Sequence, residues 1–98
     1  MGASDFWTPA RGKTAQEAFN NAVDEARYEH GHGGYTGTIA EKHSFRMVPV
    51  PSDKTAVQYS HELMNDFDNR GFWWDKWGDA ACINNGEGSW IFFGMASS

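Results

Sequence analysis

Cysteine is nearly missing from this 98-residue chain: Cys82 is alone. A single thiol excludes an intrachain disulfide and a cysteine-rich metal site, and it fits a reducing compartment. Long hydrophobic runs are missing too. No stretch approaches the ~20 apolar residues of a membrane span. The opening residues, Met1 to Trp7, lack the basic start and apolar core of a signal peptide. Basic residues are few, eight against thirteen acidic ones for a net charge of −5. That balance argues against a surface that tracks phosphates along an extended nucleic acid. No repeat, low-complexity tract or internal boundary interrupts the sequence. The expectation is one domain over residues 1–98, soluble and cytoplasmic, with no membrane or extended nucleic acid as partner.

What is present is ordinary in bulk and unusual in detail. Apolar residues make up 40% and charged residues 21%, which excludes wholesale disorder. Fifteen positions are aromatic, five of them Trp, and eleven are Gly. A domain of this size buries about two thirds of the surface that its unfolded chain exposes. Its interior is thin for so much indole, so some rings are expected at the surface.

Two helices are legible. Thr14 and Glu17 form a Thr-x-x-Glu capping box. Ala15, Ala18, Phe19, Ala22, Val23 and Ala26 then recur at helical spacing, and Gly31 supplies a left-handed end. The first helix is thus expected over Ala15 to His30. The second follows Pro51-Ser52-Asp53, with Ser52 or Asp53 as cap. Ala56, Ser60, Leu63 and Phe67 fall on one line, and Asn69-Arg70-Gly71 closes it.

Strands are expected at Asp5 to Pro9, Tyr35 to Ala40, Ser44 to Val50, Ala80 to Ile83 and Ser89 to Met95. Asn84-Asn85-Gly86-Glu87-Gly88 reads as the turn of a closing hairpin. Trp90-Ile91-Phe92-Phe93 is apolar throughout, the signature of a strand covered on both faces. Ala96-Ser97-Ser98 reads as a loose end. The order β-α-β-β-α-β-β predicts an α+β domain. Both helices would lie on one face of an antiparallel sheet, in a ferredoxin-like split βαβ arrangement with an added hairpin strand.

Two segments carry candidate chemistry. In Glu29-His30-Gly31-His32-Gly33-Gly34-Tyr35-Thr36-Gly37-Thr38, four glycines bring bare main chain close to a partner. His30, His32, Tyr35, Thr36 and Thr38 add polar groups, and such a loop can cradle an oxyanion. It follows a helix C-terminus, however, and lacks the Lys-Ser/Thr ending of a phosphate loop. A helix cap and a tight connection into a strand explain the same residues. The second segment, Gly71-Phe72-Trp73-Trp74-Asp75-Lys76-Trp77-Gly78-Asp79, holds four aromatics in six residues. Its rings either lid the core or contact a partner, since indole faces stack on nucleobases and anchor protein interfaces.

Catalytic arrangements find little support. His30, His32, His43 and His61 have no recognisable metal spacing, and imidazoles near a helix C-terminus are favoured there without a metal. Cys82 sits between Ala81 and Ile83 like a buried structural thiol. Ser44 and Ser60 lack a nucleophile elbow. Asp66 and Asp68 face different ways on the expected helix. No metal, cofactor or catalytic residue is assigned.

The segments Tyr28 to Lys42, Lys76-Trp77-Gly78 with Ala80-Ala81-Cys82-Ile83, and Trp90-Ile91-Phe92-Phe93-Gly94 resemble small uncharacterised proteins encoded by phages and bacterial genomes. The resemblance spans most of the chain and carries no assigned activity, so it transfers no catalytic residue. It implies a phage origin, a context in which small acidic proteins inhibit or sequester components of host defence.

The expectation is a non-enzymatic protein that binds a small nucleotide-like ligand. His30, His32, Gly33, Gly34, Tyr35, Thr36 and Thr38 would meet phosphate or ribose. Lys42 or Arg46 would supply charge, and Trp73, Trp74 or Trp77 would stack on the base. That requires the two segments to converge, within one subunit or across a homodimer. The alternative is an inhibitor of a host protein, acting through the acidic aromatic surface from Asp66 to Asp79. A small histidine-metal enzyme is the third possibility.

Overall fold

The Thr14 hydroxyl accepts from Glu17 N at 3.1 Å, which satisfies a free donor of the first turn. From there a helix, α1, runs over Ala15–His30 and ends at Gly31, whose φ is 81°. These are the bounds that its sequence predicts. A computed structural model describes residues 2–31 and 34–98. Within them the strands are β1 (Ala3–Arg11), β2 (Phe45–Met47), β3 (Ala80–Gly86) and β4 (Ser89–Ser97), with a second helix, α2, over Ala56–Asn65. The chain is α+β, as expected.

The sheet order is β1-β4-β3-β2. β1 and β3 each pair with β4 antiparallel, whereas β2 pairs with β3 parallel. The sheet is therefore mixed and not antiparallel throughout. It also follows that β1, β2 and β3 run the same way. β1-α1-β2 is a split βαβ unit, with β4 and β3 between its strands, and β2-α2-β3 joins neighbours.

The helices lie on opposite faces, against the expectation of one shared face. β1 to β2 crosses the sheet in one direction and β2 to β3 returns in the other. Right-handed crossovers between parallel strands then place the two helices on opposite sides. Successive strand residues point to alternate faces. Cys82 and Phe92 accordingly join Phe19, Ala22 and Val23 of α1, while Ile83, Ile91 and Phe93 join Ala56 of α2. β4 is central and feeds both layers, as its unbroken apolar run predicts. Cys82 is buried, and burial pushes its thiol pKa up to about 12.

Four expectations fail locally. Tyr35 to Ala40 is not a strand: Tyr35 and Gly37 have φ of 56° and 72°, which breaks an extended run, and a 3-10 turn spans Ile39–Glu41. β2 stops at Met47 because Pro49 and Pro51 follow, and neither has an N–H for a ladder. α2 is capped by Thr55, whose hydroxyl accepts from Gln58 N at 3.1 Å, since Pro51, Ser52 and Asp53 are spent in a turn closed by Lys54 N on Pro51 O. It ends at Asn65, so Phe67 lies beyond it and is 62% exposed. The final residues are not loose either: Ser97 pairs with Ala3, and Gly2 and Ser98 exchange backbone bonds.

With ten residues against sixteen in α1, α2 covers its face of the sheet incompletely. The 3-10 turn Phe72–Trp74 completes that layer, setting the Trp73 ring 5.7 Å from Phe93. Gly94, with a φ of 152°, lets the Trp73 backbone come close to β4.

Candidate functional site

β2 and β3 are adjacent and parallel, so the segments leading into them, 34–44 and 66–79, enter the sheet at one end. Convergence of the glycine loop with the tryptophan run follows from that pairing. Their meeting point is Tyr35 with Trp77, edge to face at 6.5 Å and 84°. Trp77 is 68% exposed and Tyr35 52%. Lys76 sets its ammonium 5.2 Å from the Trp77 ring centroid.

Lys42 fastens the two segments. Its side chain is buried, and its ammonium donates to the carbonyls of Asp75, Lys76 and Gly78 at 3.2, 3.2 and 2.9 Å. All three donors are thus in use. Burial lowers its pKa, and the carboxylates of Asp75 and Asp79 oppose that shift. Lys42 is consequently not a free cation for a ligand, as the sequence suggested; it is a tie between loops. Asp75 sharpens the turn that it holds, accepting from Trp77 N at 2.9 Å through Oδ1. An aspartate that bonds the backbone two residues on makes a rigid turn, and this one aims Trp77 outward.

Thr36 and Thr38 are also spent internally. The carboxylate of Glu41 accepts from Thr36 N at 3.1 Å and from the Thr36 hydroxyl at 2.8 Å. The lone hydroxyl proton of Thr36 goes to that carboxylate, so in the 2.8 Å contact of the two threonine oxygens Thr38 donates. Thr38 Oγ1 in turn accepts from Ala40 N at 3.2 Å. Burial works to raise the Glu41 pKa, but the Thr36 bonds, the Tyr35 backbone and the Arg27 charge outweigh it and hold the carboxyl below its ordinary value.

The remaining predicted residues scatter. Trp73 is buried in the α2-side layer. Trp74 is half-buried, 5.4 Å from Phe67 and 5.0 Å from the Arg70 guanidinium. Both indole N–H groups are buried without a partner among the described residues. Arg46 is held by Asp79 at 3.0 Å and lies over Phe72. Gly34 and His30 are exposed, His30 with Glu29 at 3.9 Å; His32 and Gly33 lie outside the described residues. His61 stacks on Trp7 at 4.8 Å, far in sequence from the loop. Among the described residues no group of three His, Cys, Asp or Glu side chains is placed to hold a metal ion.

The residues that sequence reasoning missed are Lys76 and the Asp75 turn. Asp75-Lys76-Trp77-Gly78 carried the signal, since Asp and Gly flank turns. Beside the aromatic pair, Arg27, Gly31, Gly34, Ala40 and Glu41 line a hollow of about 220 Å³, below the ~300–1,000 Å³ of small-molecule sites. No helix among the described residues is long and apolar enough to cross a membrane. No family model, curated protein or solved structure matches this chain.

Proposed function

We propose that this chain is a non-enzymatic binding protein that engages a partner protein through Tyr35 and Trp77. One observation carries the reading: Trp77 is 68% exposed although the turn beneath it is fixed by Asp75 and by buried Lys42. A ring displayed on rigid backbone loses little conformational freedom when it docks, and Trp and Tyr dominate interface hot spots. Phe67, also exposed, extends the aromatic surface of the 66–79 segment. The resemblance to phage proteins supports a partner among host components, with the chain acting as an antagonist.

A second reading keeps a nucleotide-like ligand. What supports it is the row of left-handed residues, Gly31, Gly34, Tyr35 and Gly37, which turns main chain outward beside a ring able to stack on a base. The engagement of Lys42 with three carbonyls weighs against it.

The test is capture from host lysate, identification of the retained protein, and calorimetry of the purified pair. Trp77→Ala is expected to weaken the complex by at least tenfold, as hot-spot truncations of about 2 kcal/mol do, and Trp74→Ala to leave it within a few-fold. Equal affinity in the Trp77→Ala protein defeats the reading. Submillimolar binding of a nucleotide, lost in Trp77→Ala, replaces it with the second.

A further inference from the structure

Among the described residues β1 has a single strand neighbour, β4, and the register says which of its groups face away. Gly2 and Ser98 exchange both backbone bonds, at 2.9 and 3.1 Å, and Gly12 donates to Gly88 at 3.1 Å. Bonded pairs recur at every second residue of an antiparallel ladder. Ser4, Phe6, Thr8 and Ala10 therefore turn their N–H and C=O groups to β4, and Ala3, Asp5, Trp7, Pro9 and Arg11 turn theirs outward. Pro9 falls on an outward position, where a missing N–H costs the ladder nothing. The Arg11 carbonyl is taken by Asn21 at 3.0 Å. Among the described residues no hydrogen bond closes on the backbone of Ala3, Asp5 or Trp7. The open edge is a short ladder waiting for a strand.

Alongside it lies a groove of about 440 Å³, between residues 5–9 of β1, the outer side of α1 and residues 37–39 at the end of the glycine loop. Its acidic side chains are Glu25 and Glu29 of α1, with His30 beside them and no Lys or Arg in the lining; Asp5 lines it from β1, its own side chain alternating to the Trp7 face. Glu25 and Glu29 are one helical turn apart, about 5–6 Å. Alternate side chains of an extended strand lie about 6.6–6.8 Å apart on one face. Two cations separated by one residue would therefore sit over the two glutamates while their backbone pairs with β1. A second copy of this chain fits poorly, because pairing β1 with itself would line one seam with the acidic groups of both chains in a protein of net charge −5.

We infer that the open edge of β1 takes up an extended peptide segment with Lys or Arg at alternate positions, adding a strand beside β4's partner and setting the cations over Glu25 and Glu29. Main-chain bonds supply the docking and the carboxylates supply selectivity. Neither Tyr35 nor Trp77 lines this groove, and either proposal can hold without the other.

The probe is a blocked nine-residue peptide alternating Lys and Val, with its Glu–Val counterpart and an N-methylated version as controls, titrated at low salt by calorimetry. The Lys peptide is expected to bind at least about tenfold more tightly than either control. Its binding should slow amide exchange at Asp5 and Trp7. Asp5→Pro removes an outward N–H and no ladder bond, so it should cost about tenfold in affinity while leaving Tm near the wild type. The Glu25→Lys/Glu29→Lys double variant should lose the same preference without touching the strand. Equal binding of the Lys and Glu peptides overturns the inference, as does no detectable binding at millimolar Lys peptide. A wild-type dimer that Asp5→Pro dissociates also overturns it, by giving the edge to a second copy.

Discussion

Lys42 donates to the Gly78 carbonyl at 2.9 Å across a separation of 36 residues, and the loop before β2 thereby holds the loop before β3. The bond is one of three made by a single buried ammonium, so the side chain is a structural cross-tie whose loss strands three carbonyls. Lys42→Met keeps the stem volume and removes every donor. It is expected to destabilise the protein by about 2–4 kcal/mol, read as a fall in Tm of more than about 8 °C. The Trp77 emission should shift as its turn loosens. An unchanged Tm would mean that the carbonyls are satisfied by water at no cost.

Glu41 predicts an acid-sensitive loop. Its folded pKa lies below the ordinary value of 4.5, so the folded state binds fewer protons than the unfolded state in the window between the two. The stabilisation is present above 4.5 and is lost as the pH falls through the folded value. Thermal melts from neutral pH down through this range should decline more steeply for the wild type than for Glu41→Gln. Parallel curves would show that the Thr36 bonds contribute nothing to stability.

Cys82 should be inert in the native protein. Burial between the sheet and α1 raises its thiol to about 12, and the thiolate is the species that reacts. Labelling by an aromatic disulfide reagent near neutral pH should therefore follow the unfolded fraction, rising with urea along the unfolding curve. Rapid labelling without denaturant would place the thiol at the surface.

Gly94→Ala tests the contact between the tryptophan turn and the sheet. An added Cβ would lie 3.1 Å from the Trp73 carbonyl, at a φ of 152° that L residues rarely adopt. The expected cost is about 1–3 kcal/mol, with altered Trp73 fluorescence. A neutral substitution would show that the Phe72–Trp74 turn can retreat freely.

The local signals were readable and the distant ones were not. Thr14, Glu17 and Gly31 mark both ends of α1 because caps act over three or four residues. β4 announced its two-sided burial through an unbroken apolar run. The start of α2 was misplaced because Ser52, Asp53 and Thr55 are all capable caps, and only the turn at Pro51 decides among them. Tyr35 to Ala40 has strand-like residues, but Thr36 and Thr38 bond within the loop and the backbone at Tyr35 and Gly37 turns left-handed. In the site, the aromatic surplus pointed to an exposed ring without saying which. Trp77 stands out because Trp73 is needed to finish the layer that short α2 leaves open. The role of Lys42 depends on partners more than thirty residues away, which no spacing rule reaches.

The pairing of Ala3 with Ser97 constrains how the molecule is born. β1 leaves the ribosome before β4 and, among the described residues, finds its strand neighbour when residues 89–97 emerge, so neither layer is complete before then. Until that moment Phe6 and Trp7 lack the β4 side of their packing, and sequence-distant closure of this kind is slow. Synthesis and folding are thereby separated in time, and a nascent chain halted a few codons short of β4 would be a ready substrate for chaperones and proteases.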